Sequence, residues 1–172
     1  MGTDKPDRRT GDQVPLGKLR GFSPQRMRER RERRGWSQQD LADVAGLSRQ
    51  TITSWELGTA VPDPRSANKV ANAFRCTIRQ LVDLPSDEIT LADLRMLKGM
   101  IITDASSALG ISRNTLASIE AAHKPAHPDL IPHLAQLYGV EPSVITRTWD
   151  RMRTQRIERL NAEADELGED PT

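Results

Sequence analysis

The chain spells nearly the same seventeen residues twice, 64 positions apart. Asp40 to Glu56 reads DLADVAGLSRQTITSWE, and Asp104 to Glu120 reads DASSALGISRNTLASIE. Without a gap, Asp40, Gly46, Ser48, Arg49, Thr51, Ser54 and Glu56 fall on Asp104, Gly110, Ser112, Arg113, Thr115, Ser118 and Glu120. Such a repeat inside 172 residues predicts two small units rather than one large domain. A unit of roughly 60 residues closes a helical core of only marginal stability.

Start and stop signals place the elements. Ser23-Pro24 is an N-cap followed by Pro at the first helical position, and Gly35 closes that helix. Ser37 with Asp40 forms a capping box for a second helix, and Gly46 makes the turn. Ser48 caps a third helix that Gly58 ends. Asp63-Pro64 opens a fourth, and a short fifth is expected from Thr77 to Val82. The plan then recurs: Thr90 with Asp93 caps a helix, Gly99 matches Gly35, Thr103 starts the next, Ser112 caps the third, and His127-Pro128 matches Asp63-Pro64. Glu141-Pro142 opens a last helix that continues past the repeat. Aromatics are only 3% and no alternating strand pattern occurs, so the fold class is all-α. The expected division is a flexible basic tail over 1–21, one unit over 22–84, a linker over 85–88, a second unit over 89–150, and a C-terminal helix with an acidic tail over 151–172.

The formal net charge of +1 hides a gradient. Residues 22–84 hold eleven basic against seven acidic residues, whereas 85–150 hold five against eight. Attraction to phosphate therefore belongs to the first half. The lone Cys76 has no partner for an internal disulfide and sits where the repeat has Val140, so a small apolar role in a reducing compartment is expected. No apolar run approaches a membrane span and no signal-peptide core is visible, so no membrane partner and a cytoplasmic setting are expected. No nucleophile motif, phosphate loop or carboxylate pair stands out, so neither enzymatic activity nor a cofactor is expected. His123, His127 and His133 lack a neighbouring cysteine, and no metal site is expected.

A helix, a Gly-marked turn and a second helix opened by Ser-Arg is the signature of a helix-turn-helix. The run from Arg31 to Gly58, RERRGWSQQDLADVAGLSRQTITSWELG, resembles the lambda-repressor-like (Xre/Cro) family, and residues 89–150 resemble it more weakly. The resemblance implies two tandem five-helix domains and a sequence-specific transcriptional regulator, most readily a repressor, that binds double-stranded DNA. It implies that Gln38 holds a phosphate at a helix N-terminus and that Arg49 and Gln50 enter the major groove. There Arg suits guanine and Gln suits adenine. Ser48, Thr51, Thr53 and Ser54 share that helix, while Ile52 and Trp55 point into the core. Arg31 and Glu56 match a family ion pair that recurs as Arg95 and Glu120. Arg26, Arg28, Arg30, Arg33 and Arg34 crowd the first helix; most are expected to be solvated, with one or two on the DNA backbone.

The second unit departs from the pattern. Ile102 replaces Gln38, Ile101 replaces Ser37, and Ala122 stands where the first unit has Gly58. Arg113, Asn114, Thr115 and Ser118 nevertheless keep a groove-reading face, so direct DNA contact and a protein-binding or packing role both stay open. Ile157, Leu160, Ala164 and Leu167 follow at 3-4-3 spacing, which fits a homodimer through the C-terminal helix or a fold-back on its own unit. A regulatory factor of the antitoxin kind, whose C-terminal half binds a protein partner, is the alternative.

Overall fold

The computed structural model describes residues 17–168, with side chains as far as Asp165. Residues 1–16 and 169–172, which hold most of the expected N-terminal tail and the end of the acidic one, lie outside the described residues, as does the Leu167 side chain.

Most helices begin where the sequence supplies an acceptor for the third helical N–H. In α1 (Pro24–Glu32), Arg26 N donates to Ser23 Oγ at 3.2 Å. In α2 (Gln38–Ala45), Asp40 N donates to Ser37 Oγ at 3.1 Å and Ser37 N to Asp40 Oδ2 at 2.7 Å, the reciprocal capping box. Ser48 does the same work for α3 (Arg49–Glu56) and Asp63 for α4 (Pro64–Ala73). Gly46 joins α2 to α3 at φ 61°, the left-handed conformation that closes the turn. The expected fifth helix of this unit is a single 3-10 turn, Ile78–Leu81.

The second unit holds α5 (Leu91–Met96), α6 (Ile102–Ala108), α7 (Arg113–Glu120), α8 (Leu130–Tyr138) and α9 (Pro142–Gly168). Two expected starts move. Thr103 does not cap α6; the cap falls two residues earlier, at Ile101, because the Asp104 carboxylate accepts from Ile101 N at 3.3 Å and supplies half of a capping box without a hydroxyl partner. His127-Pro128 does not open α8 as Asp63-Pro64 opens α4. A histidine lacks the carboxylate that holds Ser66 N, and the helix waits until Leu130. Ala122 takes φ 53° at the Gly58 position and is fully buried, so the turn keeps its shape without glycine.

Each unit has its own core. The first gathers Met27, Leu41, Ile52, Val70, Phe74, Ile78 and Leu81, and the second Leu91, Leu116, Ile119, Leu134, Tyr138 and Ile145. The cores touch, because Met96 of α5 is buried in the first and Ile89 packs against both. The expected tail also ends sooner than residue 21. Leu19 is buried in the first core, its N–H donates to Pro62 O at 2.9 Å, and Phe22 makes an isolated antiparallel bridge with Val82. An apolar Leu and Phe in a polar stretch were enough to anchor it. Cys76 is half-buried at the edge of the first core, and burial pushes its thiol up against the pull of Arg30 and Arg34.

Candidate nucleic-acid interface

The first turn of α3 sorts its polar residues into those already engaged and those projecting outward. Ser48 Oγ accepts from Thr51 N at 3.1 Å and shares a 2.8 Å hydrogen bond with Thr51 Oγ1. Ser54 Oγ donates to Thr51 O at 2.9 Å. Thr53 Oγ1 lies 2.8 Å from Gln38 Oε1 and 3.0 Å from Arg49 O. Ile52 and Trp55 are buried on the opposite face, with Trp55 edge-on to Phe22 at 6.3 Å. Arg49 and Gln50 are exposed, and no described residue bonds their side chains. The helix thus presents two long side chains from a rigidly capped end.

Glu56 closes the other end of α3 and joins it to two helices. Arg31 Nε and Nη2 donate to its two oxygens at 2.6 and 3.0 Å, and Arg31 Nη1 donates to Trp36 O at 2.7 Å. Gln38 Nε2 donates to Glu56 Oε2 at 2.9 Å. Burial opposes ionisation of Glu56, but the hydrogen bonds from Arg31 and Gln38 and the charges of Arg31 and Arg28 outweigh it and hold the carboxyl below its ordinary range. Gln38 therefore ties the start of α2 to α3 through both amide atoms, leaving one amide hydrogen and the helix N-terminus facing outward.

The arginines of α1 and the turn after it stay largely in solvent, as their crowding led one to expect, yet three of them also bond carbonyls of other elements. Arg28 Nη2 donates to Glu56 O at 2.6 Å, the last residue of α3. Arg34 donates to Phe74 O, the C-cap of α4, and stacks over the rings of Phe74 and Trp36 at 5.0 and 5.7 Å. Arg26 donates to Val82 O at the end of the 3-10 turn and pairs with Asp83 at 2.9 Å. Helix α1 and the turn that follows it thus send cations to the carbonyl ends of three other elements, where the backbone dipoles favour positive charge.

The second unit repeats the frame with one donor moved. Arg95 Nε and Nη2 donate to Glu120 at 2.9 and 3.0 Å, and Arg95 Nη1 donates to Met100 O. Ile102 offers nothing to Glu120, and Tyr138 Oη donates to Glu120 Oε1 at 2.7 Å instead. Ser112 and Thr115 repeat the cap of α3, while Arg113 and Asn114 are exposed. Ser118 is half-buried, and its carbonyl accepts from His123 N and Lys124 N.

What differs is the surface around the α6 N-terminus. In the first unit Arg28, Glu32, Ser37, Gln38, Thr53 and Leu57 surround this corner; their counterparts are Ala92, Met96, Ile101, Ile102, Ala117 and Ala121. These six line a cleft of about 480 Å³ against Gly17 and Pro64 of the first unit. Two ion pairs flank it: Arg65 to Asp104 at 2.5 Å and Arg20 to Asp93 at 2.5 Å. Gly99 lies so close to α4 that an added Cβ would meet Asn68 Cβ at 2.8 Å. A polar corner in one copy is an apolar seam between units in the other. The sequence comparison found the substitutions, but Tyr138, Arg20 and Arg65 gave no local signal, since each partner lies in another element.

Comparison with known proteins agrees with this geometry. The helix-turn-helix family model matches residues 27–81 and again 91–145, so the chain belongs to that family, of the lambda-repressor-like type, with a second and divergent copy of the domain. The chain is similar to the competence pilus inhibition repressor of Acinetobacter baylyi, 37% identical over 30% of this chain and 46% of that one. It is similar to the SPbeta prophage-derived HTH-type transcriptional regulator YonR of Bacillus subtilis, 38% identical over 28% and 44%. An HTH-type transcriptional regulator of Archaeoglobus fulgidus is 36% identical over 37% of this chain and 91% of its own length. The chain spans about half the length of the first two relatives. No solved structure matches it. The family is one of DNA-binding transcriptional regulators rather than enzymes, and no helix among the described residues is long and apolar enough to cross a membrane.

Proposed function

We propose that this regulator is a sequence-specific repressor that reads DNA through its first unit. Arg49 and Gln50 enter the major groove from the start of α3. The α2 N-terminus with the remaining amide hydrogen of Gln38 holds a phosphate and sets the register. Thr53 fixes the Gln38 amide, and Ser48 and Thr51 hold the end of the recognition helix. The observation that carries the reading is the contrast between corners: polar and open around Gln38, apolar and set against the first unit around Ile102. The second unit accordingly positions the first instead of reading a site of its own. The repressor role draws support from the name of the Acinetobacter relative.

Two copies pair through the free part of α9, where Ile157 and Leu160 are 41% and 43% exposed. The pair reads two half-sites about one helical turn, or a multiple of it, apart. Protection of the operator from cleavage, measured for Arg49→Ala and Arg113→Ala, tests the assignment. Arg49→Ala relaxes one base position and costs about 1–3 kcal/mol; Arg113→Ala leaves the footprint unchanged. Equal losses from both would make the second unit a reader after all.

A further inference from the structure

Helix α9 runs well past the unit it belongs to. Trp149 Nε1 donates to Lys124 O at 3.1 Å and Met152 packs against the second core, but no later described residue of the helix joins that core. The charges beyond this point are sorted along the helix. Residues 151–159 hold Arg151, Arg153, Arg156 and Arg159 against Glu158 alone, while 160–168 hold Glu163, Asp165 and Glu166 and no basic residue. This order is the wrong one for an isolated helix. Carboxylates in the last turn meet the negative end of the backbone dipole. The Arg159–Glu163 pair, at 3.7 Å, has the cation first, the weaker of the two orders at this spacing.

At 3.6 residues per turn, Arg153, Arg156, Ile157, Glu163 and Ala164 all fall within about 60° of Leu160 around the helix. The stripe that carries the exposed Ile157 and Leu160 is thus basic before Leu160 and acidic after it. Arg153 and Arg156 are half-buried, and neither forms an ion pair among the described residues.

We propose that the partner of this face is α9 of a second copy lying antiparallel to it and crossing near Leu160, so that Arg156 of each chain meets Glu163 of the other. Such an arrangement presupposes that two copies pair through α9, and it fixes the direction in which they do so. Two-fold symmetry forms the ion pair twice and covers Ile157, Leu160 and Ala164 between the helices. A parallel pair in register does the opposite. Arg153, Arg156 and Glu163 each approach their own copies, and like charges set against each other disfavour the contact. The direction also decides where the reading units stand. Seven residues separate Arg153 from Leu160, so an antiparallel pair sets the two Arg153 positions about 21 Å apart along the axis, with a body at each end. A parallel pair puts both bodies at the same end.

The test uses two full-length variants, Arg156→Cys and Glu163→Cys, each with its own tag, mixed and oxidised. The mixed disulfide is expected to form in excess over either self-linked product, and one Arg156–Glu163 pair stays intact in that mixed dimer. Two Arg156→Cys chains in antiparallel order hold their Cα atoms at least about 10 Å apart, beyond the ~7 Å that a disulfide spans. The wild-type chain, whose only cysteine is Cys76, gives the background. In sedimentation equilibrium, Arg156→Glu or Glu163→Arg alone is expected to weaken association roughly tenfold, since each turns two exposed attractions into repulsions. The double variant is expected to recover most of that loss. Self-linked Arg156→Cys as the main product overturns the antiparallel order while leaving the pairing in place. So does a double variant that associates no better than the singles. A wild-type chain that is monomeric at every concentration removes the pairing itself, and its direction with it.

Discussion

The Tyr138 hydroxyl stands 2.7 Å from Glu120 Oε1 and does for the second unit what the Gln38 amide does for the first. Burial and the neighbouring Glu120 charge push the Tyr138 phenol far above its ordinary value, so it stays a donor. Tyr138→Phe is expected to destabilise the second unit by about 1.5–3 kcal/mol, the range for a hydrogen bond to a charged group. Denaturant melts of the full chain measure it. A change below half a kcal/mol would mean that Arg95 alone satisfies Glu120.

Acid should loosen the first unit through Glu56. Its folded carboxyl titrates below the ordinary value of 4.5, so its contribution is present above that value and is lost as pH falls through the lower folded one. Asp40, Asp63 and Asp104 shift in the same direction and add to the slope. Glu56→Gln should flatten the acid limb of a stability–pH curve. It should also cost roughly 3–5 kcal/mol at neutral pH, because Arg31 is left buried without its counter-charge.

Gly35 and Gly99 occupy the same turn in the two units, at φ 66° and 73°. An added methyl at Gly35 meets nothing within 4 Å, whereas at Gly99 it meets Asn68 at 2.8 Å. Alanine should therefore cost about 1–2 kcal/mol at Gly35 from the backbone alone, and a further 1–3 or so at Gly99 from overpacking. Comparing the two melts isolates the seam between units; equal losses would mean that α4 moves aside freely.

Arg75 is exposed and held at φ 47°, where the second unit has Gly139 at φ 64°. Arg75→Gly should raise the stability of the first unit by about half to one kcal/mol, since glycine adopts this conformation without a clash. A lower midpoint instead would mean that the side chain contributes contacts that outweigh the strain.

Leu160→Asp should keep the fold, because Leu160 lies on the free part of α9, yet abolish self-association. Sedimentation equilibrium checks this. A wild-type chain that stays monomeric on a palindromic duplex would remove the paired reading.

The frame was legible because its signals are local. Caps at Ser23, Ser37, Ser48, Asp63 and Thr90 each need one hydroxyl or carboxylate three residues ahead of an N–H, and all five appear where the spacing put them. The ion pairs Arg31–Glu56 and Arg95–Glu120 were legible through the repeat, since a shared 25-residue interval survives comparison. The Ile101 and Ile102 substitutions were visible as a lost phosphate site, but not as a seam. Reading them so requires knowing that Pro64 and Gly17 lie opposite, which no sequence interval encodes. The partners of Arg26, Arg28 and Arg34 were hidden for the same reason: the side chains stay largely in solvent, but the carbonyl ends they bond lie in other elements.

Those arginines bear on how binding should respond to salt. The dependence of affinity on ionic strength counts cations that displace counterions from phosphate, with a slope of about −0.9 per contact. Arg26, Arg28, Arg31 and Arg34 already face carbonyls or carboxylates of the protein and release few ions. Arg65 is held by Asp104. The measured slope should therefore be shallower than eleven basic residues in the first unit suggest. A protein that looks strongly polycationic in its reading half should behave, in a salt titration, like one with only a handful of mobile charges.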